Sequence, residues 1–420
     1  MELREFYIFS VLFLNSILVS VNGCEKARYD NYRVYELFIA NQEQLDLLKQ
    51  IDEYPDGYRI IEYPGTVNKD VQLIVPPHKF ADFSELVQTF QIKSRLMITN
   101  LQEVLDNEQP NLKRSSSFDW TRYWKLSEIN DWLNQLVIEH PNNTELIKIG
   151  ESYKGLEILG LKLNIGKVSG KKQVIFEGTM HAREWISGAV VTWMLNELIT
   201  SEDPDVKELA ATYEWIVIPV VNVDGYEFTW KSDRLWRKTR RPSSLLCFGA
   251  DPNRNWDNFF NKGGTSLNPC SDLYAGSHPF SEPETKQYSD YIAKLPNLSA
   301  YFSFHAYSQL LMLPYGYTHE LLENYDELYE IGLKALESLR SRFRTEYRLG
   351  SIANIIYVAT GSSLDWVKYN LHTNVTYAYE LRDRGQYGFV LPASQIIDTS
   401  LETFDSIVTI MKESKIKGII

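Results

Sequence analysis

The strongest constraint on this chain is a series of four short apolar runs separated by stretches with helical spacing. They read QVIFEG (173–178), WIVIPVV (215–221), YFSFHA (301–306) and VTYAYEL (375–381). Runs of this kind, joined by segments long enough for a crossover helix, build a largely parallel sheet covered on both faces. Trp193, Met194, Leu195 and Leu198 mark a helix that follows the first run. Upstream, Ser127 is placed to cap a helix carrying Ile129, Trp132, Leu133, Leu136 and Val137, stopped by Pro141. The expected fold of residues 115–420 is α/β, a mixed, largely parallel sheet with helices on both faces.

Residues 25–105 follow another pattern. RVYELFIA (33–40), YRIIEY (58–63), DVQLIV (70–75) and SRLMIT (94–99) are strand-like. Between them lie a helix capped by Asn41, with Leu45, Leu48 and Ile51 on one face, and a second carrying Phe80, Phe83, Leu86, Val87 and Phe90. The order βαββαβ predicts a small ferredoxin-like α+β domain with an antiparallel sheet. The segment DNEQPNLKRSSSFDW (106–120) is polar, holds Pro110, and carries the dibasic pair Lys113–Arg114. Such a linker is expected to be exposed and open to proteolytic nicking, with cleavage after Arg114, although an ordinary interdomain linker would look similar.

The amino terminus has Arg4, an apolar core over 6–21 and VNG at 21–23, the pattern of a secretory signal cut near Gly23. An uncleaved anchor is the alternative. The expected division is therefore 1–23 signal, 24–114 small domain and linker, 115–420 α/β domain. In an oxidising compartment Cys247 and Cys270, both in loop-like sequence, are expected to pair; Cys24 lies at the cut. Sequons at Asn142 and Asn297 fit secretion, whereas the one at Asn374 falls in a strand-like run. The net charge of −12 argues against a nucleic-acid partner. No membrane association is expected after signal removal.

Sites in open α/β sheets form outside the carboxyl ends of the strands. His181 and Glu184, in MHAREW, directly follow the run 173–178; His305 is near the end of 301–306, and Glu380 near the end of 375–381. Two imidazoles and a carboxylate can hold zinc and leave one position open for water. Taken singly, each has a plainer reading: a polar turn for His181 and Glu184, a core histidine for His305, and an ion pair with Arg382 or Arg384 for Glu380. Convergence on one rim favours the metal set, with Glu380 as general base. Arg237 and Arg254 lie between its two halves, and Asn253 beside Arg254 can complete a fork of donors for a carboxylate.

Six motifs in order, HAREW, RLWRKTR, NRNWD, FSFHAYSQLLMLPYGY, GSSLDW and YELRDRGQYGFVLPASQI, resemble the secreted zinc metallocarboxypeptidases of the pancreatic carboxypeptidase A/B family across residues 118–412. The upstream domain and linker resemble that family's propeptide. The resemblance implies one Zn²⁺ per chain on His181, Glu184 and His305, the ligand set already known for carboxypeptidase A. It implies Glu380 as base and proton shuttle, Arg237 as oxyanion stabiliser, and Asn253, Arg254 and Tyr357 as the clamp for the substrate's terminal carboxylate. Arg183, Tyr307 and Phe389 would line the substrate path, and Asp251 would orient a histidine ligand.

Within that family, the residue matching Leu364 is acidic in basic-specific members and aliphatic in A-type members. Leu364 and Ile352 therefore imply an apolar pocket, and Ala378, where many A-type members have Thr, implies a roomier one. Three departures stand out: Ala182 for a common Ser, Ser362 for a common Gly, and Leu313 for a common Tyr. The expectation is a secreted, extracellular, monomeric zymogen. It would be activated by a trypsin-like protease, would act on peptides and proteins, and would prefer hydrophobic or aromatic C-terminal residues. A basic-residue (B-type) enzyme, a catalytically weak peptide-binding homologue and an amidase for non-peptide substrates are the competing readings.

Overall fold

A computed structural model describes residues 26–61, 65–110 and 117–420. The expected signal 1–23, Cys24 and the cleavage site Arg114 lie outside the described residues. The amino-terminal domain has strands β1 (Arg33–Ile39), β2 (Arg59–Ile60), β3 (Lys69–Val75) and β4 (Lys93–Ile98), in the antiparallel order β2-β3-β1-β4. Its two main helices are Gln42–Glu53 and Phe80–Thr89, the first capped by Asn41, whose side chain accepts from Gln44 N. Leu37, Ile39, Leu45, Leu48, Leu73 and Phe83 close its core. This is the ferredoxin-like arrangement read from the sequence.

The larger domain has β5 (Thr144–Glu151), β6 (Glu157–Leu163), β7 (Gln173–Glu177), β8 (Glu214–Ile218), β9 (Leu298–Ala306), β10 (Leu310–Leu313), β11 (Arg348–Ser351) and β12 (Val375–Leu381). They form one sheet in the order β11-β10-β12-β9-β7-β8-β6-β5. The central strands β12, β9, β7 and β8 are parallel, and antiparallel pairings flank them. Strand alternation divides the sheet into two faces. Phe176, Phe302, Phe304, Tyr377 and Tyr379 share one face, where Phe302 stacks on Tyr377 and Phe304 on Tyr379, and Phe176 meets both phenylalanines edge-on. Tyr377 OH donates to Leu328 O and Tyr379 OH bonds Ser406 Oγ, so the helices Tyr325–Phe343 and Ile396–Ile416 cover this side. The opposite face carries Glu177, Tyr301, Ser303, His305, Ala378 and Glu380. Trp256 and the helices Pro283–Ile292 and Ser363–Leu371 pack over part of it.

Three local expectations change. The helix near residue 127 starts at Leu126, with Lys125 as its N-cap, so Ser127 is already inside the first turn and does not cap it. Glu128 instead reaches back to accept from Lys125 N at 3.0 Å. The run 215–221 leaves the sheet after Ile218. The start of the linker is ordered and only partly exposed: Asp106 and Asn107 are exposed but end the helix Leu101–Asn107, and Glu108 is buried against Arg234. Cys247 and Cys270 are linked, and the sequon residues Asn142 and Asn297 are exposed. Among the described residues no helix is long and apolar enough to cross a membrane.

Candidate metal centre and binding cleft

The parallel register brings the candidate ligands together. Glu380 on β12 is paired with His305 on β9, and both project on the polar face. After β7 the chain turns at Thr179 (φ 52°), whose Oγ1 donates to Pro219 O and whose N donates to Ser187 Oγ. That turn carries His181 and Glu184 to the start of the helix Trp185–Thr200. His181 Nδ1 lies 2.8 Å from Glu184 Oε1, and His305 Nδ1 lies 3.0 Å from Glu184 Oε2. The two Nδ1 atoms are 3.1 Å apart, and all three side chains are buried. Tetrahedral zinc with ligands at about 2.0–2.1 Å would separate two nitrogens by about 3.3–3.4 Å, so this donor set fits the ion. Among the described residues it is the one grouping of three such side chains able to hold a metal.

Behind the group, His181 Nε2 lies 3.1 Å from Asp251 Oδ1. Arg237 gives Nε and Nη2 to Asp251 Oδ2 at 3.1 and 2.9 Å, which leaves Nη1 3.7 Å from Glu184 Oε1. Burial pushes the Asp251 carboxyl up, but Arg237 and His181 outweigh it and hold the group well below its ordinary range. Glu184 is likewise pushed up by burial and held low by His181 and His305. Burial, reinforced by the charge of Arg237, lowers His181. Glu184 and His181 are thus in the state a metal ligand needs. His305 is instead pushed up to about 9, burial acting downward but being outweighed by the hydrogen bond and charge of Glu184, so a metal there takes the place of a proton on His305.

The cationic side of the cleft is rigidly built. Asp251 N donates to Tyr274 O and Trp256 N to Gly361 O, which fixes the loop between them. Arg254 Nη2 donates to Tyr357 OH at 3.1 Å, and Asn253 Oδ1 accepts from Ser363 N. Leu364, Ile352 and Ala378 line the adjoining cavity. Leu310, Met312 and Ile356 line it too, and the sequence reading missed them. Met312 was within reach, because antiparallel pairing sets it directly opposite Ala378. The ion-pair reading of Glu380 through its neighbours is not what forms: Arg382 pairs with Glu402, and Arg384 donates to Glu346 O.

The amino-terminal domain closes the mouth. Arg183, stacked on Phe389, donates to Asp272 Oδ2 at 2.9 Å and to Ile61 O at 3.2 Å. Tyr307, in edge contact with Phe389, donates to Gln72 Oε1 at 2.8 Å, and Gln72 Nε2 donates to Gly385 O. Arg59 bonds Asp233 and Leu235 O. Gly65, at φ +60°, lies so close to the Tyr357 ring that a Cβ there would collide with it. What remains of the cleft is a cavity of about 130 Å³, walled on one side by Asp52, Ile60 and Ile61. Asp272 and Gln72 were not singled out in the sequence; neither stands in a pattern that would mark it.

Comparison with known proteins adds an independent line. A sequence model described as zinc carboxypeptidase matches residues 129–406, and one described as carboxypeptidase activation peptide matches residues 35–108. Zinc carboxypeptidase A 1 of Anopheles gambiae is 42% identical over 409 residues, covering 96% of this chain and 94% of its own. Carboxypeptidase A1 of Bos taurus is 35% identical, covering 96% and 98%. The crystal structure of the carboxypeptidase A from Helicoverpa armigera superposes with a TM-score of 0.83 at 25% identity, over 93% of this chain and 98% of that one. That of thrombin activatable fibrinolysis inhibitor gives 0.84 at 29% identity, over 91% and 98%.

Proposed function

Because the chain belongs to the zinc carboxypeptidase family and carries its activation peptide, we propose that it is a secreted zymogen of an A-type exopeptidase. The mature part, from about residue 115, would remove C-terminal residues with apolar side chains. The observation that carries this reading is the adjacency of three features: the His181–Glu184–His305 group, the Arg254–Tyr357 donor pair, and an apolar cavity around Leu364.

His181, Glu184 and His305 would hold zinc. When bound there, the ion supplies Lewis acidity and lowers the pKa of water. Asn253, Arg254 and Tyr357 receive the substrate's terminal carboxylate through forked, charge-assisted hydrogen bonds. Arg237, anchored through Nε and Nη2 on Asp251 with Nη1 3.7 Å from Glu184 Oε1, presents Nη1 to the charge that develops on the scissile carbonyl oxygen. Glu380 accepts a proton from the attacking water and returns it to the leaving amine. Asp251 fixes the ring of His181. Arg183, Tyr307 and Phe389 contact residues upstream of the scissile bond. The apolar surround of Leu364 argues against the B-type reading, since a Lys or Arg side chain would lose its hydration there without a partner.

The test is a profile of residues released from peptides with varied C-termini, before and after trypsin. Activity should rise on cleavage after Arg114. Phe, Tyr, Trp and Leu should then leave roughly 100-fold or more faster than Arg or Lys. Faster release of Arg than of Phe would overturn the A-type assignment, and hydrolysis of C-terminally amidated peptides would favour an amidase.

The contact of Gly65 with Tyr357 supports propeptide blockade of the carboxylate clamp. Gly65→Ala adds an unfavourable positive φ and a clash, and is expected to raise the residual activity of the uncleaved chain roughly tenfold. A peptidase assay on trypsin-free protein checks this, and an unchanged background would mean that this contact does not hold the block.

A further inference from the structure

The side of His305 that faces away from the candidate metal carries a second arrangement. Its Nδ1 lies against Glu184 and His181, so a metal there takes the Nδ1 lone pair and the ring proton must sit on Nε2. Two groups lie near Nε2: Ser303 Oγ at 3.0 Å and Asn253 Nδ2 at 3.4 Å. The Asn253 amide is oriented by its Oδ1, which accepts from Ser363 N, so it turns an N–H toward Nε2 and cannot accept. Ser303 Oγ is left as the acceptor. Its own proton then goes to Glu177 Oε1 at 2.5 Å, which also accepts from Tyr301 OH at 3.2 Å. Ser303 and Glu177 are buried, and Glu177 Oε2 has no hydrogen-bond partner among the described residues. All the bonding of this carboxylate therefore runs through the oxygen that faces Ser303 and Tyr301. With a metal on Nδ1, the Nε2 proton is accepted by Ser303 Oγ and the Ser303 proton by Glu177 Oε1, so the chain runs from His305 through Ser303 to Glu177.

We propose that Ser303 and Glu177 are positioning residues that lock the tautomer and ring orientation of His305 for zinc, as a hydroxyl-relayed counterpart of the direct Asp251–His181 contact. The proposal rests on the reading that His181, Glu184 and His305 hold zinc. A metal-bound imidazole whose distal N–H is accepted by a carboxylate is held more rigidly and is a more basic ligand, and loss of such a partner costs about 10–100-fold in metal affinity. Here the carboxylate acts through one hydroxyl, so the hydroxyl and the charge contribute separably.

The experiment uses the full-length chain and measures zinc affinity by competition with a chelating dye, alongside thermal unfolding of the metal-free and zinc-loaded forms. Ser303→Ala should weaken zinc binding about 10–100-fold and shrink the increase in melting temperature that zinc confers. Glu177→Gln, which still accepts from Ser303 but carries no charge, should fall between Ser303→Ala and the unmodified chain. Ser303→Thr, which restores the hydroxyl, should recover affinity. Suppose instead that both variants lower the melting temperature of the metal-free and loaded forms alike, with competition curves that superimpose on the unmodified chain. The pair would then be only a core hydrogen bond and the proposal is wrong. If Ser303→Ala does not fold, Glu177→Gln decides alone, since full zinc affinity in it removes any role for the carboxylate. Failure of the unmodified chain to take up zinc would refute the zinc-site reading itself, a result separable from all of these.

Discussion

Glu380→Gln is expected to lower turnover by roughly 10²–10⁴-fold while one zinc per chain is retained. The residue is set by strand register: on β12 it stands beside His305 on β9 and opposite Leu310 on β10, half-buried at the end of the polar face. Gln keeps the shape and hydrogen-bonding capacity of the side chain but cannot take a proton from water. Neighbouring cations are already committed, Arg382 to Glu402 and Arg384 to the Glu346 carbonyl, so the substitution leaves those pairings in place. The metal group His181, Glu184 and His305 does not include it. The loss should therefore fall on kcat, with KM moved little, because Asn253, Arg254 and Tyr357 are untouched. Steady-state kinetics on the trypsin-cleaved protein, with zinc measured by atomic absorption, check both halves. Activity within tenfold of the unmodified enzyme would remove Glu380 from the base role; loss of zinc together with activity would reassign it to holding the metal group.

What the sequence made legible was what depends on local period and on strand ends. His181, Glu184, His305 and Glu380 could be placed on one rim because each follows or closes an apolar run, and parallel strands end on the same edge. Asn41 declared its helix because a cap acts on the next three residues. Contacts made across domains left no such mark. Gln72 and Gly385 are far apart in the chain, as are Ile61 and Arg183, and neither pair belongs to a periodic pattern. Ser303 and Glu177 are a different case. They were written inside two of the quoted apolar runs, but an internal Ser and a strand-final Glu carry no signal until register sets them side by side. Ser127 misled for a related reason: a capping residue type beside an apolar run does not fix the first turn when Glu128 can reach back to Lys125.

Glu108→Ala is expected to weaken docking of the amino-terminal domain by roughly 10²–10⁴-fold. Glu108 and Arg234 are both buried, with Arg234 Nε donating to Glu108 Oε2 at 2.8 Å and Nη2 bonding Oε1. Arg234 also donates to the carbonyls of Arg183 and Phe389 and stacks on Trp185, so it is held in place whether or not Glu108 is present. Removing the carboxylate would leave a fixed, buried guanidinium uncompensated, a loss of about 3–5 kcal/mol. The pair itself need not be a large source of affinity, since burial pushes the Glu108 carboxyl up even with Arg234 beside it. The asymmetry gives the test. In the intact chain the linker keeps the two domains together at high effective concentration, so Glu108→Ala should raise basal activity only modestly. After trypsin has cut the linker, full activity should appear much faster than in the unmodified protein, because release of the propeptide no longer has to break the pair. Glu108→Gln, which can still accept from Arg234, should fall between the two. If the three proteins gain activity at the same rate after cleavage, the buried pair does not hold the domain, and the contacts of Arg59 with Asp233 and of Gln72 with Tyr307 must carry it.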